Sequence, residues 1–281
     1  MFSKISNSWA LVKASFAVLR QDKELVLFPV VSMLASLVVI ATFAVPMLLA
    51  GIFDSWASGS ANGVLSAIIA FLFYLVMYFV VIFSNAAVVG AATIRLNGGD
   101  PSLRDGFRIA WEHVWSILGY AAISATVGII LRAISERGGI VGQIVSSILG
   151  FAWGVVTFLV IPILVVENVS PVDGIKRSAQ LLRKTWGEQL IGNFSIGMIS
   201  GLIIVLLFLV GIPLIVVSIS AKSVALIILM IALLVIAIIA VSLITTTLNS
   251  IFTAAVYNYA ATGSAGEMFP EDLVKDAFRH K

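Results

Sequence analysis

Residues 223–266 read SVALIILMIALLVIAIIAVSLITTTLNSIFTAAVYNYAATGSAG, a run without one charged side chain. A helix of about 20 residues at 1.5 Å rise crosses about 30 Å of hydrocarbon, and this run is twice that long. Five more uncharged runs lie before it, at 25–53, 64–94, 114–131, 140–166 and 189–221. Each is long and apolar enough to span. The fold class is therefore all-α: a polytopic membrane bundle of six transmembrane helices. As one helix the last run would measure about 66 Å, against roughly 40–45 Å for a bilayer with its headgroups. Either it breaks near Thr245–Ser250 or it projects beyond the membrane. A break would put the basic tail on the opposite side, so a single helix with a cytoplasmic extension is expected.

Composition agrees. The 281 residues are 60% hydrophobic and 11% charged, where soluble domains average about 25% charged. Cysteine is absent, which removes disulfides, thiolate nucleophiles and iron–sulfur sites. Two separated histidines, His113 and His280, make no metal site. No cofactor is implied. The basic residues lie beside membrane segments with amphipathic spacing, which gives a nucleic-acid partner no support. The first apolar run is nearly twice the core of a secretory signal, about 7–15 residues, and reads as a retained span.

Of the 17 Lys and Arg residues, all but Arg132, Arg137 and Lys222 fall on one side of the six spans. Cytoplasmic loops carry that excess, so both termini are expected in the cytoplasm and the protein in the plasma (inner) membrane. Trp9, Trp111, Trp115 and Trp186 fall at the same interface, with Trp56 at the other and Trp153 mid-span.

Three amphipathic segments precede the three pairs of spans. Their stripes are Phe2, Ile5, Trp9, Val12, Phe16, Leu19; then Leu103, Phe107, Trp111, Val114; then Val172, Ile175, Ala179, Leu182, Trp186. Asp100-Pro101 and Ser170-Pro171 read as N-caps before a first-turn proline, and Ser170 with Asp173 as a capping box. The chain divides into one membrane domain, 1–281, of three units, about 1–97, 98–168 and 169–262, with a tail at 263–281. A short helix is expected in that tail after Pro270. The basic faces of the amphipathic helices suggest anionic lipid of the cytoplasmic leaflet as partner, through Lys4, Lys13, Arg20, Arg104, Arg108, Lys176, Arg177, Arg183 and Lys184. Alternatively, these helices simply brace the bundle.

No ionisable residue falls in the centre of a span, which argues against coupled pumps and intramembrane proteases. Amides and hydroxyls remain. Asn85, Thr157, Thr246 and Asn249 sit at matching depth on the second helix of each unit, forming a candidate intramembrane polar centre; ordinary interhelical hydrogen bonds are the competing reading. Gly150/Gly154 and Gly197/Gly201 suit close helix packing, within the bundle or alternatively in a dimer, and Gly211-Ile212-Pro213 suits a kink. Asn97-Gly98-Gly99-Asp100-Pro101 reads as a helix stop and restart.

Phe83-Ser84-Asn85-Ala86-Ala87, Asn97-Gly98-Gly99-Asp100-Pro101, Pro171-Val172-Asp173-Gly174-Ile175-Lys176-Arg177-Ser178 and Thr185-Trp186-Gly187-Glu188 resemble an uncharacterised family of prokaryotic six-span membrane proteins. The layout is also similar to the membrane domain of some glycerophosphodiester phosphodiesterases, whose catalytic domain has no counterpart in this sequence. The resemblance implies no functional residues. A non-catalytic protein binding lipid or a protein partner at its cytoplasmic face is expected, with a passive carrier or channel for a neutral solute as the alternative. If the charge reading is right, fluorescent protein fused after Lys281 will fluoresce when expressed in bacteria, whereas alkaline phosphatase fused there will be inactive; the opposite pattern refutes the orientation.

Overall fold

The computed structural model describes residues 13–51, 63–186, 195–220 and 222–264. Among these residues all regular structure is helical. Residues 13–21 form α1, and a 3-10 turn at Lys23–Val26 leads into α2, Leu27–Leu49. Then come α3 (Gly63–Leu96), α4 (Leu103–Glu112), α5 (Val114–Arg137), α6 (Gly139–Val156), α7 (Val160–Glu167), α8 (Pro171–Trp186), α9 (Ser195–Ser220) and α10 (Val224–Thr262). Six segments are long and apolar enough to cross a membrane, with α6 and α7 together making the fourth. The last is one unbroken helix of 39 residues, so Thr245–Ser250 do not interrupt it.

Burial is concentrated at one end of the bundle. Toward their far ends α3 and α10 expose apolar residues such as Leu65, Ile68, Leu72, Ile228 and Ile236. Toward their near ends both are enclosed, over Ala86–Ala92 and Leu248–Tyr257 with few gaps. Together with Val18, Phe28, Ile117, Ile163 and Leu181, these enclosed residues form one hydrophobic core. The long helices thus have a lipid-compatible half and a protein-enclosed half. The enclosing elements at the near end include α1, α4, α7 and α8.

Small residues let α4 and α8 dock. Gly106 of α4 presses on α3: a Cβ there would lie 2.8 Å from the Ala87 carbonyl oxygen and closer still to the Phe28 ring. Phe107 packs edge-on to Phe28 at 4.9 Å and stacks on Phe83 at 6.4 Å. Ala110 is buried, while Trp111 is exposed. On α8, Gly174, Ser178, Leu181 and Leu182 face inward and Val172 is exposed. Leu103, Phe107, Ile175 and Leu182 of the expected stripes meet the core beside these small residues, whereas Trp111 and Val172 do not. Close approach selects the small side chains, leaving Trp111 and Val172 outside.

The two helices begin alike. Ser102 caps α4 and pairs reciprocally with Asp105; Ser170 and Asp173 make the matching hydroxyl–carboxylate pair at 2.7 Å, and Asp173 N–H donates to Ser170 Oγ. The expected Asp100-Pro101 cap is thus corrected: Pro101 lies outside the helix, and Asp100 instead accepts from Arg95. The cap serines hold both Asp carboxyls below the usual carboxylate range. A depressed value means the cap contributes while the carboxyl is ionised and fades only as pH falls through that value. Each Asp is followed by the docking glycine, Gly106 or Gly174, so Ser-x-x-Asp-Gly recurs at 102–106 and 170–174.

The fourth span is interrupted at 157–159, where the uncharged run predicts one continuous helix. Pro162 has no N–H for the Phe158 carbonyl, and its ring crowds that carbonyl. The proline therefore sits in the first turn of α7, after a break. The Leu159 N–H exposed by the break donates to the buried Ser178 Oγ at 3.1 Å. By contrast α9 continues through Pro213, and Gly211 lies against Leu234. No described atom lies within 4 Å of a Cβ built on Gly154, Gly197 or Gly201, and Gly150 meets only Leu131 at 3.6 Å. The Gly197/Gly201 pair therefore makes no close packing among the described residues. The Pro270 helix lies outside them.

Gly106→Val will overpack the α3–α4 contact and cost about 1–3 kcal/mol. Ser178→Ala will orphan the Leu159 N–H at a cost of about 1–3 kcal/mol. Thermal unfolding in detergent should show both variants melting below Val172→Ala, whose site is exposed; equal melting temperatures would refute these packing roles.

Candidate functional site

The far ends of the spans carry Arg132, Glu136, Arg137 and Lys222, which belong at a water interface. From there, at 1.5 Å per residue, Gly63 to Asn85 is about 33 Å, Gly139 to Thr157 about 27 Å, Val224 to Thr246 about 33 Å and Arg137 to the exposed Trp115 about 33 Å. Hydrocarbon is about 30 Å thick. The four candidate polar residues therefore fall near the opposite edge of that layer, beside an interfacial indole, rather than at its middle. The enclosed core begins where the hydrocarbon ends.

At this level α3 and α10 line an open cleft, closed on one side by α2 and on the other by Phe158 and by Ile161 of α7. Its near compartment, about 230 Å³, is lined by Asn85, Val89, Phe158, Ile161, Thr246, Asn249, Ser250 and Thr253. A second compartment of about 360 Å³ extends toward the far end, among Pro29, Met33, Val81, Ile238, Ile239 and Leu243, with Ser32, Ser36, Ser84 and Ser242. Asn85 and Thr246 line both. Three of the four candidates thus meet in one cavity. Thr157 does not line it: its hydroxyl donates to Trp153 O at 2.7 Å and faces the Tyr120 hydroxyl in a separate cluster with Ser124.

The hydroxyls on α10 are engaged along their own helix. Thr246 donates to Ser242 O, Ser250 to Thr246 O and Thr253 to Asn249 O, at 2.8–3.1 Å. This leaves their oxygens as acceptors toward the cleft. Ser84 donates to Phe28 O at 2.8 Å, tying α3 to α2. The carboxamides of Asn85, half-buried, and Asn249, exposed in the cleft, have no partner among the described residues. Unpaired amides at the edge of hydrocarbon are costly, since nothing in lipid tails replaces their hydrogen bonds. The cleft can therefore receive water or an uncharged polar group through these two amides. Ser32 and Ser36 were missed in the sequence; their i, i+4 spacing on α2 was the available signal.

The basic candidates divide. Arg20, Arg104 and Arg183 are exposed, as is Lys13. Arg108 pairs with Asp105 at 3.0 Å and Lys176 with Asp173 at 3.6 Å, both at the surface. Arg177 is turned to the bundle: its Nε donates to both Glu167 oxygens at 3.1 Å, and Tyr257 donates to the same carboxylate at 3.2 Å. Arg95, absent from the candidates, grips the buried Asp22 through two nitrogens and also holds Asp100. Lys4 lies outside the described residues, as does the Lys184 side chain. Among the described residues, no three His, Asp or Glu side chains gather into a metal set.

The model of a family of unknown function (DUF6159) matches residues 64–268, well over half of the chain. No curated protein matches it. The match runs from α3 to beyond α10 and so includes the near compartment of the cleft.

The native chain has no cysteine, so single replacements report cleanly. With the protein in nanodiscs, Asn249→Cys will react with a water-soluble maleimide at least tenfold faster than Ile239→Cys in the far compartment. Equal rates would refute the polar gradient along the cleft.

Proposed function

The chain belongs to this family of unknown function, and we propose that it is a non-catalytic membrane protein that binds a lipid of the cytoplasmic leaflet in the cleft between α2, α3 and α10. The supporting observation is the cleft itself: open, mainly apolar in surface along the far compartment, and ending in two amides without a partner among the described residues. Lipid molecules have the same division, with chains on one side of the hydrocarbon edge and polar groups on the other. A groove accessible from the side admits them without crossing a polar barrier.

In this reading the enclosed end faces the cytoplasm of a cell whose plasma membrane holds the protein, with both termini on that side. The charge bias supports the orientation. Exposed Arg20, Arg104 and Arg183 and the exposed Trp111 and Trp115 draw that face onto anionic headgroups, each cation near the surface contributing about 1 kcal/mol. Arg177 and Arg95 take no part, being committed to Glu167 and to Asp22 and Asp100. A carrier for a neutral solute is the second reading; among the described residues the two compartments run from Thr253 to Ser36 and Ile238.

A photoreactive benzoylphenylalanine at Ile239, inside the cleft, should capture one lipid species in enriched amount from native membranes. The same residue at lipid-exposed Leu229 should capture lipids in bulk proportion. Identical profiles at the two positions would refute a cleft-bound lipid.

A further inference from the structure

The lining chemistry narrows the ligand further. Among the described residues, neither compartment is lined by Asp, Glu, Lys, Arg or His. Of the cations on the elements around the cleft, Arg95 at the end of α3 is held by Asp22 and Asp100, and Arg177 on α8 is held by Glu167. A phosphate drawn into the near compartment would lose hydration and meet no countercharge among the described lining residues, a combination that proteins avoid. An uncharged polar group meets no such barrier.

The inventory of donors and acceptors is equally specific. The Asn85 and Asn249 carboxamides each present two N–H donors and one acceptor oxygen, with no described partner. Thr246, Ser250 and Thr253 have given their protons to the helix and present oxygens. The compartment therefore donates to carbonyl groups and accepts from a hydroxyl at the same height. Beyond it, Met33, Val81, Ile238, Ile239 and Leu243 line a path toward the centre of the hydrocarbon. Its volume of about 360 Å³ is within the range of small-molecule sites, about 300–1,000 Å³.

Resting on the lipid-binding reading, we propose that the cleft is a site for an uncharged glycerolipid of the diacylglycerol type. Its ester carbonyls accept from Asn85 and Asn249, its free hydroxyl donates to the threonine and serine oxygens of α10, and one acyl chain runs along the far compartment. A phospholipid headgroup finds no cation among the described residues that line either compartment.

The test is native mass spectrometry of the full, delipidated chain in detergent, with dioleoylglycerol as probe and dioleoylphosphatidylglycerol as competitor. A one-to-one dioleoylglycerol adduct is expected, undiminished by an equal amount of the phospholipid. Asn249→Leu should weaken it about tenfold, equivalent to about 1.4 kcal/mol, the scale of one hydrogen bond. Asn249 is exposed, so this change spares the packing. Ser242→Trp, also at an exposed position, fills the far compartment without removing an amide and should abolish the adduct. Displacement by the phospholipid would overturn the uncharged class while leaving lipid binding standing. Equal dioleoylglycerol binding by both variants would put the ligand elsewhere and overturn the site. No adduct with either lipid, together with uniform cross-linking at Ile239 and Leu229, would overturn both the class and the lipid-binding reading.

Discussion

Two helices in this chain are longer than a membrane is thick. Helix α3 has 34 residues and α10 has 39, about 51 and 58 Å at the α-helical rise. Only about 30 Å of each can lie in hydrocarbon. The remainder still bears apolar residues such as Val88, Val89, Ile251 and Val256, and outside lipid these need a protein cover. Cover comes from α1, α4, α7 and α8, and the hydrophobic core of the molecule is the result. The structure is organised by that overhang: lipid shields one half of the bundle and the protein shields the other.

Covering a helix at close range restricts the covering residues. Gly106 and Gly174 stand at close contacts of α4 and α8 with their neighbours, immediately after a Ser–Asp capping pair. The cap fixes where each helix starts, and the glycine then fixes how near it comes. Ser178 does more than fit. It accepts the Leu159 N–H that Pro162 releases by breaking the fourth span, so an irregular backbone is tolerated where protein, not lipid, surrounds it. Charge is handled in the same way. Asp22 and Glu167, at the start of the first span and the end of the fourth, are each held by an arginine, which offsets the cost of placing carboxylates next to a core.

The cleft lies at the boundary between the two halves. Helices α2, α3 and α10 are neither fully in lipid nor fully enclosed at the level of Asn85 and Thr246. Polar side chains are affordable at that height because water and headgroups are near. A polar residue deeper in the layer would need a protein partner. Asn85 and Asn249 have none among the described residues, which gives the cleft its chemical character.

Much of this was legible in the chain itself. Uncharged runs of 18 or more residues can only be stable in lipid, so the number of spans follows from local composition. The unbroken α10 follows as well, since a run of that composition has no proline or glycine from Val224 to Thr262. What needed the tertiary structure was every choice between two acceptable faces. Periodicity found the core-facing Leu103, Phe107, Ile175 and Leu182, but not that Gly106, Ala110, Gly174 and Ser178 would be buried beside them while Trp111 and Val172 stay outside, because approach distance is set by the neighbour and not by the helix. Asn85, Thr157, Thr246 and Asn249 share a depth in the sequence, but only packing separates Thr157, facing Tyr120, from the three that share a cavity. Arg177 is indistinguishable from Lys176 by spacing, and Glu167 alone decides that it turns inward. Composition and periodicity are properties of one segment at a time and so set solvent, span and helix; partner, face and cavity are relations between segments, and they exist only once the segments have met.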